Sequence, residues 1–118
     1  MDLKITRWQR GEGPLQSNLV DGLKAEGLVP YIEDDDPGHH YDSHVHPNDE
    51  VIVMVSGEIT FGVGDEKWVL GPGDRLDLPA NTSHWAETQG GGPIRMLAAS
   101  QGDEYDPLRE NHTEDSKA

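Results

Sequence analysis

The sequence predicts an all-β domain, a β-sandwich or small barrel, with one short helix near its N-terminus. Fourteen glycines and eight prolines mark frequent chain reversals. The apolar stretches between these reversals are about as long as β-strands, which are commonly five to six residues. With 118 residues, of which 33% are hydrophobic, the chain fits one domain with a compact core and many loops.

The first two elements are an opening strand and the helix. The stretch "LKITRW", from Leu3 to Trp8, alternates well enough to form a strand. Pro14 suits a first helical position and Gly27 suits a C-terminal cap, so we expect the helix between Pro14 and Glu26. Gly22 inside it costs about 1 kcal/mol relative to alanine, so the helix depends on tertiary packing. The apolar residues near helical spacing are Leu15, Leu19, Val20 and Leu23.

From Leu28 onward, the sequence reads as short strands separated by turns. The predicted strand stretches are "LVPYIE", "HHYDSHVH", "EVIVMVS", "EITFGV", "KWVL", "DRLDLP", "SHWAET" and "IRMLAAS". Glycine, proline and asparagine stand between them, as in antiparallel hairpins. Beyond Gly102 the chain is polar and acidic. We therefore expect one domain over residues 1–102 and a loosely attached tail over residues 103–118.

Charge and composition exclude several functions. The formal net charge is −14, from 23 acidic and nine basic residues, so nucleic acid and anionic membrane surfaces are poor partners. The chain has no cysteine, which excludes disulfides, zinc-thiolate sites and iron–sulfur clusters. The start of the chain lacks an apolar signal core, and no apolar run reaches membrane-spanning length. The expected location is the cytoplasm.

The stretch "GHHYDSHVHPNDE" concentrates metal-capable side chains around one turn. His44 and His46 are two residues apart, so in a strand they point to the same face and can share one ion. The turn at residues 47–49 then brings Glu50 onto the adjacent antiparallel strand, beside the same ion. One histidine pair in a chain with six histidines is moderate evidence for a metal.

A second stretch strengthens the interpretation. The first stretch reads G-x5-H-x-H-x3-E-x6-G from Gly38 to Gly57, and the second reads G-x5-P-x-N-x2-H from Gly73 to His84. These patterns resemble the two signature motifs of the cupin superfamily, over about half the chain (residues 38–57 and 73–88, with the segment between them). The second motif departs at Asn81, where the family usually has glycine, and at Thr88, where it often has asparagine. Asparagine tolerates left-handed backbone geometry, so the turn should persist.

The resemblance implies an antiparallel jelly-roll β-barrel of the small single-domain cupin type. It also implies one divalent transition metal ion per chain. The implied metal ligands are His44, His46, Glu50 and His84. Nitrogen and oxygen ligands suit Fe, Mn, Ni, Cu or Zn, and geometry alone does not choose among them. In cupins that have lost their metal, the same histidines only line the barrel.

Strand alternation predicts the surroundings of the cluster. Ile52 and Met54 share the face of Glu50, and Val51, Val53 and Val55 pack outward. Ile59, Phe61 and Val63 form one face of the next strand, and His84 shares its face with Ala86 and Thr88, opposite Trp85. The metal would then lie against a mostly apolar wall, which favours a small, partly apolar organic substrate. Arg75 and Arg95 could pair with an anionic substrate, but we expect both to lie on the sheet surface instead.

Two side chains are candidates for catalysis. Glu50 can act as a base if it loosens from the metal. His40 lies an even number of residues before His44 and His46, so it is a candidate inward-facing catalytic residue. An exposed position at the rim is the favoured interpretation.

The favoured function is a metal-dependent enzyme of the dioxygenase type acting on a small organic substrate. One alternative is a non-catalytic module that binds or senses a small molecule. Another is a cupin isomerase, decarboxylase or lyase.

We also expect a homodimer. Leu3 and Ile5 lie in an opening strand at a sheet edge, and the outward valines need a cover. Either the short helix or a neighbouring subunit would supply that cover, and a two-fold dimer is the commonest closed assembly.

Overall fold

The computed structural model describes residues 2–88 and 92–101, which contain nine strands and one helix. The helix α1 spans Gln16–Ala25. The strands are β1 (Lys4–Thr6), β2 (Tyr31–Asp35), β3 (His40–His44), β4 (Asp49–Ser56), β5 (Ile59–Val63), β6 (Glu66–Leu70), β7 (Arg75–Leu78), β8 (His84–Thr88) and β9 (Ile94–Gln101). The predicted β-rich fold with one short helix is confirmed. The tail predicted over residues 103–118 lies outside the described residues. No helix in the described ranges is long and apolar enough to cross a membrane.

The strands form two antiparallel sheets. The larger sheet has the order β1-β7-β4-β9-β2 and the smaller has the order β3-β8-β5-β6. Within residues 2–88 and 92–101, no strand of one sheet pairs with a strand of the other. The described strands form two layers, so the closed barrel that the resemblance implied is not confirmed in this detail.

The main core fills the space between the two sheets. Ile52 and Met54 of β4 face Ile59 and Phe61 of β5, and all four are completely buried. Val51 and Val53 belong to a separate cluster on the other face of the larger sheet. The alternation predicted for β4 and β5 is confirmed. Because β4 lies at the centre of its sheet, Glu50 is carried into the sandwich on the same face as Ile52.

Helix α1 covers the outer face of the larger sheet. Leu23 is 2% exposed and packs in one cluster with Val51, Val53 and Leu97. We expected either the helix or a second subunit to cover Val51 and Val53. The structure shows that the helix covers them. The homodimer stays a prediction, and these two valines no longer argue for it.

The predicted C-terminal end of α1 agrees with the structure, whereas the predicted N-terminal end does not. At its C-terminus, Gly27 has φ +86, and Leu28 N–H donates to the carbonyl of Leu23 at 3.1 Å. This is a Schellman cap, as the glycine predicted. At the N-terminus, the expectation for Pro14 is wrong, because Leu15 is the extended N-cap residue and the helix begins at Gln16.

Polar contacts tie the outer elements to the larger sheet. Arg75 of β7 donates to both carboxylate oxygens of Glu26, at 2.6 and 2.9 Å, which links the end of α1 to the sheet. Asp74 accepts from Arg7 and from the main chain of Trp8, at 2.9 and 2.8 Å. The Asp74 contacts fix the segment after β1 against the turn that precedes β7.

Candidate metal centre

His84 opens β8 and points into the sandwich, where it is 1% exposed. Its Nδ1 lies 3.0 Å from the carbonyl oxygen of Thr82. A carbonyl can only accept, so Nδ1 carries the proton and Nε2 keeps its lone pair. Burial lowers the pKa of His84 below its ordinary value of 6.5, and His44 lowers it further, against the opposing effect of the Thr82 hydrogen bond. The ring is thus held neutral and ready to act as a ligand.

His44 reaches the same place from β3 because that strand contains a β-bulge. Tyr41 pairs with Ala86 and His44 pairs with His84, so β3 has one more residue than β8 over this interval. The extra residue brings both Tyr41 and His44 to the inner face. His44 Nδ1 lies 2.7 Å from the carbonyl oxygen of Asp42, inside the bulge. Because a carbonyl can only accept, Nδ1 of His44 donates in this contact and Nε2 is the nitrogen that takes no part in it.

His46 lies beyond the end of β3, not within the strand as predicted. Its position is instead set by the turn of the second motif, since Asn81 N–H donates to the carbonyl of His46 at 2.7 Å. Asp49 strengthens the same connection, because its carboxylate accepts from Ala80 N–H at 2.7 Å. Sequence reasoning missed this role of Asp49, for which the only signal was a carboxylate in the turn before Glu50.

The three imidazoles converge. One ring nitrogen each from His44, His46 and His84 lies within 4.8 Å of the others. The ring centroids are 4.4 to 5.1 Å apart. Two nitrogens that share one ion at about 2.1 Å are at most about 4.2 Å apart, so the observed spacing is close to that of a metal site.

Glu50 lies next to this group. It is 5% exposed, and its Oε1 is 3.6 Å from Nε2 of His46. The group defined by mutual donor distances contains the three histidines, and Glu50 borders it through His46. The four residues that the sequence singled out as ligands are therefore brought together.

The donor set fits a transition metal. Nε2 of His44 and of His84 is buried without a hydrogen-bond partner among the described residues. A buried polar atom without a partner is costly, and a metal ion would satisfy both nitrogens. Neutral imidazoles fixed by Nδ1–H contacts to carbonyl groups are the usual ligand form.

His40 does not join the cluster. It pairs with Glu87, and its ring lies 3.4 Å from the Glu87 carboxylate and stacks near Trp85, on the outer face. Its side chain is 52% exposed. The inward orientation inferred from parity is wrong, because the bulge between Tyr41 and His44 shifts the alternation by one residue.

The two departures from the usual second motif have clear structural roles. Asn81 has φ +61, the left-handed conformation expected for the residue that replaces glycine. Thr88 accepts from His39 N–H at 2.7 Å and donates to the Asp36 carbonyl at 2.9 Å. It thereby closes the turn that leads into β3.

The histidine cluster is bordered by the apolar core on one side and is partly exposed on the other. Phe61 lies with its ring centroid 6.4 Å from that of His84, within the packed core. His84 and Glu50 are buried, whereas His44 and His46 are only partly buried. A small molecule would therefore approach from the side of His44 and His46.

The two arginines considered as anion partners are engaged elsewhere. Arg75 pairs with Glu26 and Asp77, and Arg95 pairs with Asp34. Both lie away from the histidines on the larger sheet, as predicted.

Comparison with known proteins agrees with this geometry. The family model for the cupin domain (Cupin_2) matches residues 31–100. An acireductone dioxygenase of Leptospira biflexa is 35% identical over a match that covers 54% of this chain and 41% of that protein. The matched region thus spans well under half of that relative.

Solved structures show the same fold. The DMSP lyase DddQ from Ruegeria pomeroyi superimposes with a TM-score of 0.58 at 31% identity, over 64% of this chain and 39% of that one. A cupin superfamily protein from Desulfitobacterium hafniense gives a TM-score of 0.57 at 17% identity, over 86% of this chain and 79% of that one. Since the family match extends over more than half of the 118 residues and includes both motifs, the chain belongs to the cupin family.

Proposed function

We propose that this protein is a metal-dependent cupin enzyme that acts on a small organic substrate, with dioxygenase chemistry favoured. The proposal rests on one observation above all, the convergence of three imidazoles inside the sandwich. Two of them have the ligand tautomer set by main-chain carbonyl groups, at 2.7 and 3.0 Å.

One divalent ion would be held by His44, His46 and His84, with Glu50 as a fourth ligand. Three nitrogens and one oxygen suit Fe, Mn, Ni, Cu or Zn. When bound, such an ion would act as a Lewis acid and offer open positions to substrate or dioxygen.

The protein's own residues would orient the reaction. His84 and Glu50 anchor the buried side, and the part-buried His44 and His46 leave one side open. The core beneath, with Phe61 at 6.4 Å from His84, excludes water from that side. Glu50 borders the nitrogens and would take up a substrate proton at its Oε1 when that oxygen does not bind the ion.

The dioxygenase assignment is supported by similarity to a protein of that activity. The acireductone dioxygenase relative is 35% identical over the matched region. The same support makes acireductone the first substrate to test, followed by other chelating compounds such as diketones, phenols and thiols.

A lyase is the second candidate. It is favoured by the similarity to DMSP lyase at 31% identity. Isomerase and decarboxylase activities are further alternatives and belong to the same test. A non-catalytic binding or sensing module is the remaining alternative.

The test begins with metal analysis of the protein as isolated. The protein is then loaded anaerobically with Fe(II), and in parallel with Mn, Ni, Cu and Zn, before substrate addition. A dioxygenase consumes oxygen in proportion to product, whereas a lyase forms product without oxygen. Absence of turnover with every metal and substrate would contradict the enzyme proposal. Thermal stabilisation by a compound recovered unchanged would instead support the binding module.

A further inference from the structure

A cavity lies on the outer face of the larger sheet, away from the histidines. It is bounded by α1, by the segment after β1 and by Val53 and Gly73, and has a volume of about 260 Å³. We call it the helix groove. Its floor is apolar, formed by Trp8, Leu19, Leu23 and Val53. Ligand pockets begin at about 300 Å³, so the groove suits a small ligand rather than a large one.

Gly22 opens the groove from the helix side. Glycine inside a helix is unfavourable, yet a Cβ added at Gly22 would meet nothing within 4 Å. Close packing therefore does not require this glycine. Gly22 lines the groove, so the missing side chain leaves space there. Gly73 is different, since a Cβ there would meet the Trp8 ring at 2.5 Å, which places Trp8 against the sheet.

The lining of the groove contains three arginines and one carboxylate, Glu26, although the chain is strongly acidic. Three of the nine basic residues line the groove: Arg7, Arg10 and Arg75. Arg7 is neutralised by Asp74, and Arg75 by Glu26 and Asp77. Arg10 makes no ion pair within the described ranges, and its guanidinium lies 5.3 Å from the centre of the Trp8 ring. Arg10 is thus the one arginine of the groove without a carboxylate partner among the described residues, and it lies next to the Trp8 ring.

From these observations we propose that the helix groove binds a small amphipathic carboxylate. Its apolar body would lie on Leu19, Leu23 and Val53, in the space left by Gly22. Its carboxylate would pair with Arg10. The site is distinct from the histidine cluster, because Val53 points to the face of β4 opposite Ile52 and Met54.

The probe is 4-phenylbutyrate, titrated into the full chain loaded with metal and followed by ¹H–¹⁵N NMR. We expect saturable shifts at the Trp8 indole and the Gly22 amide, with a Kd of about 1 mM or tighter. The neutral 4-phenylbutanol and the cationic 4-phenylbutylamine should bind at least about tenfold more weakly, because a hydrogen-bonded charge pair is lost.

Two matched variant pairs test the residues. Gly22→Leu fills the groove and should abolish the shifts without lowering the midpoint of thermal unfolding, whereas Asp21→Leu adds the same side chain on the same helix, outside the groove lining, and should bind normally. Arg10→Gln should weaken binding about tenfold, whereas Lys67→Gln removes a charge elsewhere and should not.

Several results would overturn the proposal. Unperturbed Trp8 and Gly22 signals at saturating probe would do so, as would shifts confined to the histidine cluster. Loss of a dimer in Gly22→Leu, measured by sedimentation, together with no probe binding, would make the groove an interface between copies instead. Equal binding of the carboxylate and the amine would remove Arg10 from the site.

Discussion

The main-chain N–H of Asn81 donates to the carbonyl of His46 at 2.7 Å. This bond connects the turn of the second motif to a histidine of the first. His46 lies outside any strand, so its position depends on this turn more than on sheet pairing. Asn81 itself is in the left-handed conformation, with φ +61, within this turn.

Substitution at Asn81 should separate backbone conformation from side-chain chemistry. Asn81→Val should lose about 1–2 kcal/mol of unfolding free energy, because a β-branched residue is strained at positive φ, and its metal affinity should fall as well. Asn81→Gly should stay within about 0.5 kcal/mol of wild type. Urea unfolding and metal titration measure both effects. Equal behaviour of the two variants would show that the turn does not position His46.

Removal of His84 tests the metal site most directly. His84→Ala should lower metal affinity by more than about 100-fold, which exceeds the usual effect of losing a residue that only supports a ligand. His40→Ala is the matched control and should bind metal normally, since His40 lies on the outer face. Competition with a chromogenic chelator gives the affinities. Full metal occupancy in a His46→Ala, His84→Ala double variant would place the site elsewhere.

The Glu26–Arg75 pair should make stability depend on pH. The hydrogen bond from Arg75 holds the pKa of Glu26 below its ordinary value of 4.5. A carboxyl with a lowered folded-state pKa stabilises the fold fully above its unfolded pKa, and this stabilisation is lost as the pH falls through the folded pKa. The side chain of Glu26 is 43% exposed, so the contribution is at most about 1 kcal/mol.

We therefore expect Glu26→Gln to be less stable than wild type at neutral pH. The difference should shrink as the pH falls below 4.5, the ordinary pKa. Urea unfolding over a series of pH values measures this difference. Glu66→Gln, which removes an exposed carboxylate on β6, serves as the control for net charge. A difference that is independent of pH would contradict the explanation.

Gly22→Ala should stabilise the protein by about 0.5–1 kcal/mol, because alanine has a higher helix propensity and its Cβ meets no atom within 4 Å. Chemical unfolding measures the change. A loss of stability would mean that Gly22 makes a close contact after all.

Gly62 should behave in the opposite way. A Cβ there would lie 2.0 Å from the Trp85 ring, so Gly62→Ala should lose about 1–3 kcal/mol through overpacking. The same substitution made in a Trp85→Ala background should cost much less, and a double-mutant cycle measures the difference. An unchanged cost in that background would assign the effect to strand propensity instead.

The sequence predicted the faces of β4, β5 and β8 correctly because those strands alternate without interruption over the residues in question. Glu50, Phe61 and His84 all point where strict alternation places them. The prediction failed in β3, where one extra residue reverses the alternation between His40 and His44. Bulges leave no clear mark in a single sequence, because they are set by pairing with the neighbouring strand.

The grouping of the strands into sheets was also beyond prediction from local pattern. Strand length and turn residues are local properties, whereas the grouping of nine strands into two separate sheets is set by long-range pairing. The helix groove could not be predicted from the sequence either, because it is formed by residues as distant in the chain as Arg10 and Val53. Its only local signal was Gly22, a glycine inside an otherwise regular helix.

The bulge in β3 also bears on any attempt to graft this site onto another protein. A regular strand in place of β3 could not keep both Tyr41 and His44 on the inner face, since the two residues are three apart. A successful transplant would have to carry the whole segment from Tyr41 to His46, including the Asp42 carbonyl that orients the His44 ring. The arrangement of these histidines therefore depends on a piece of irregular backbone as well as on the side chains.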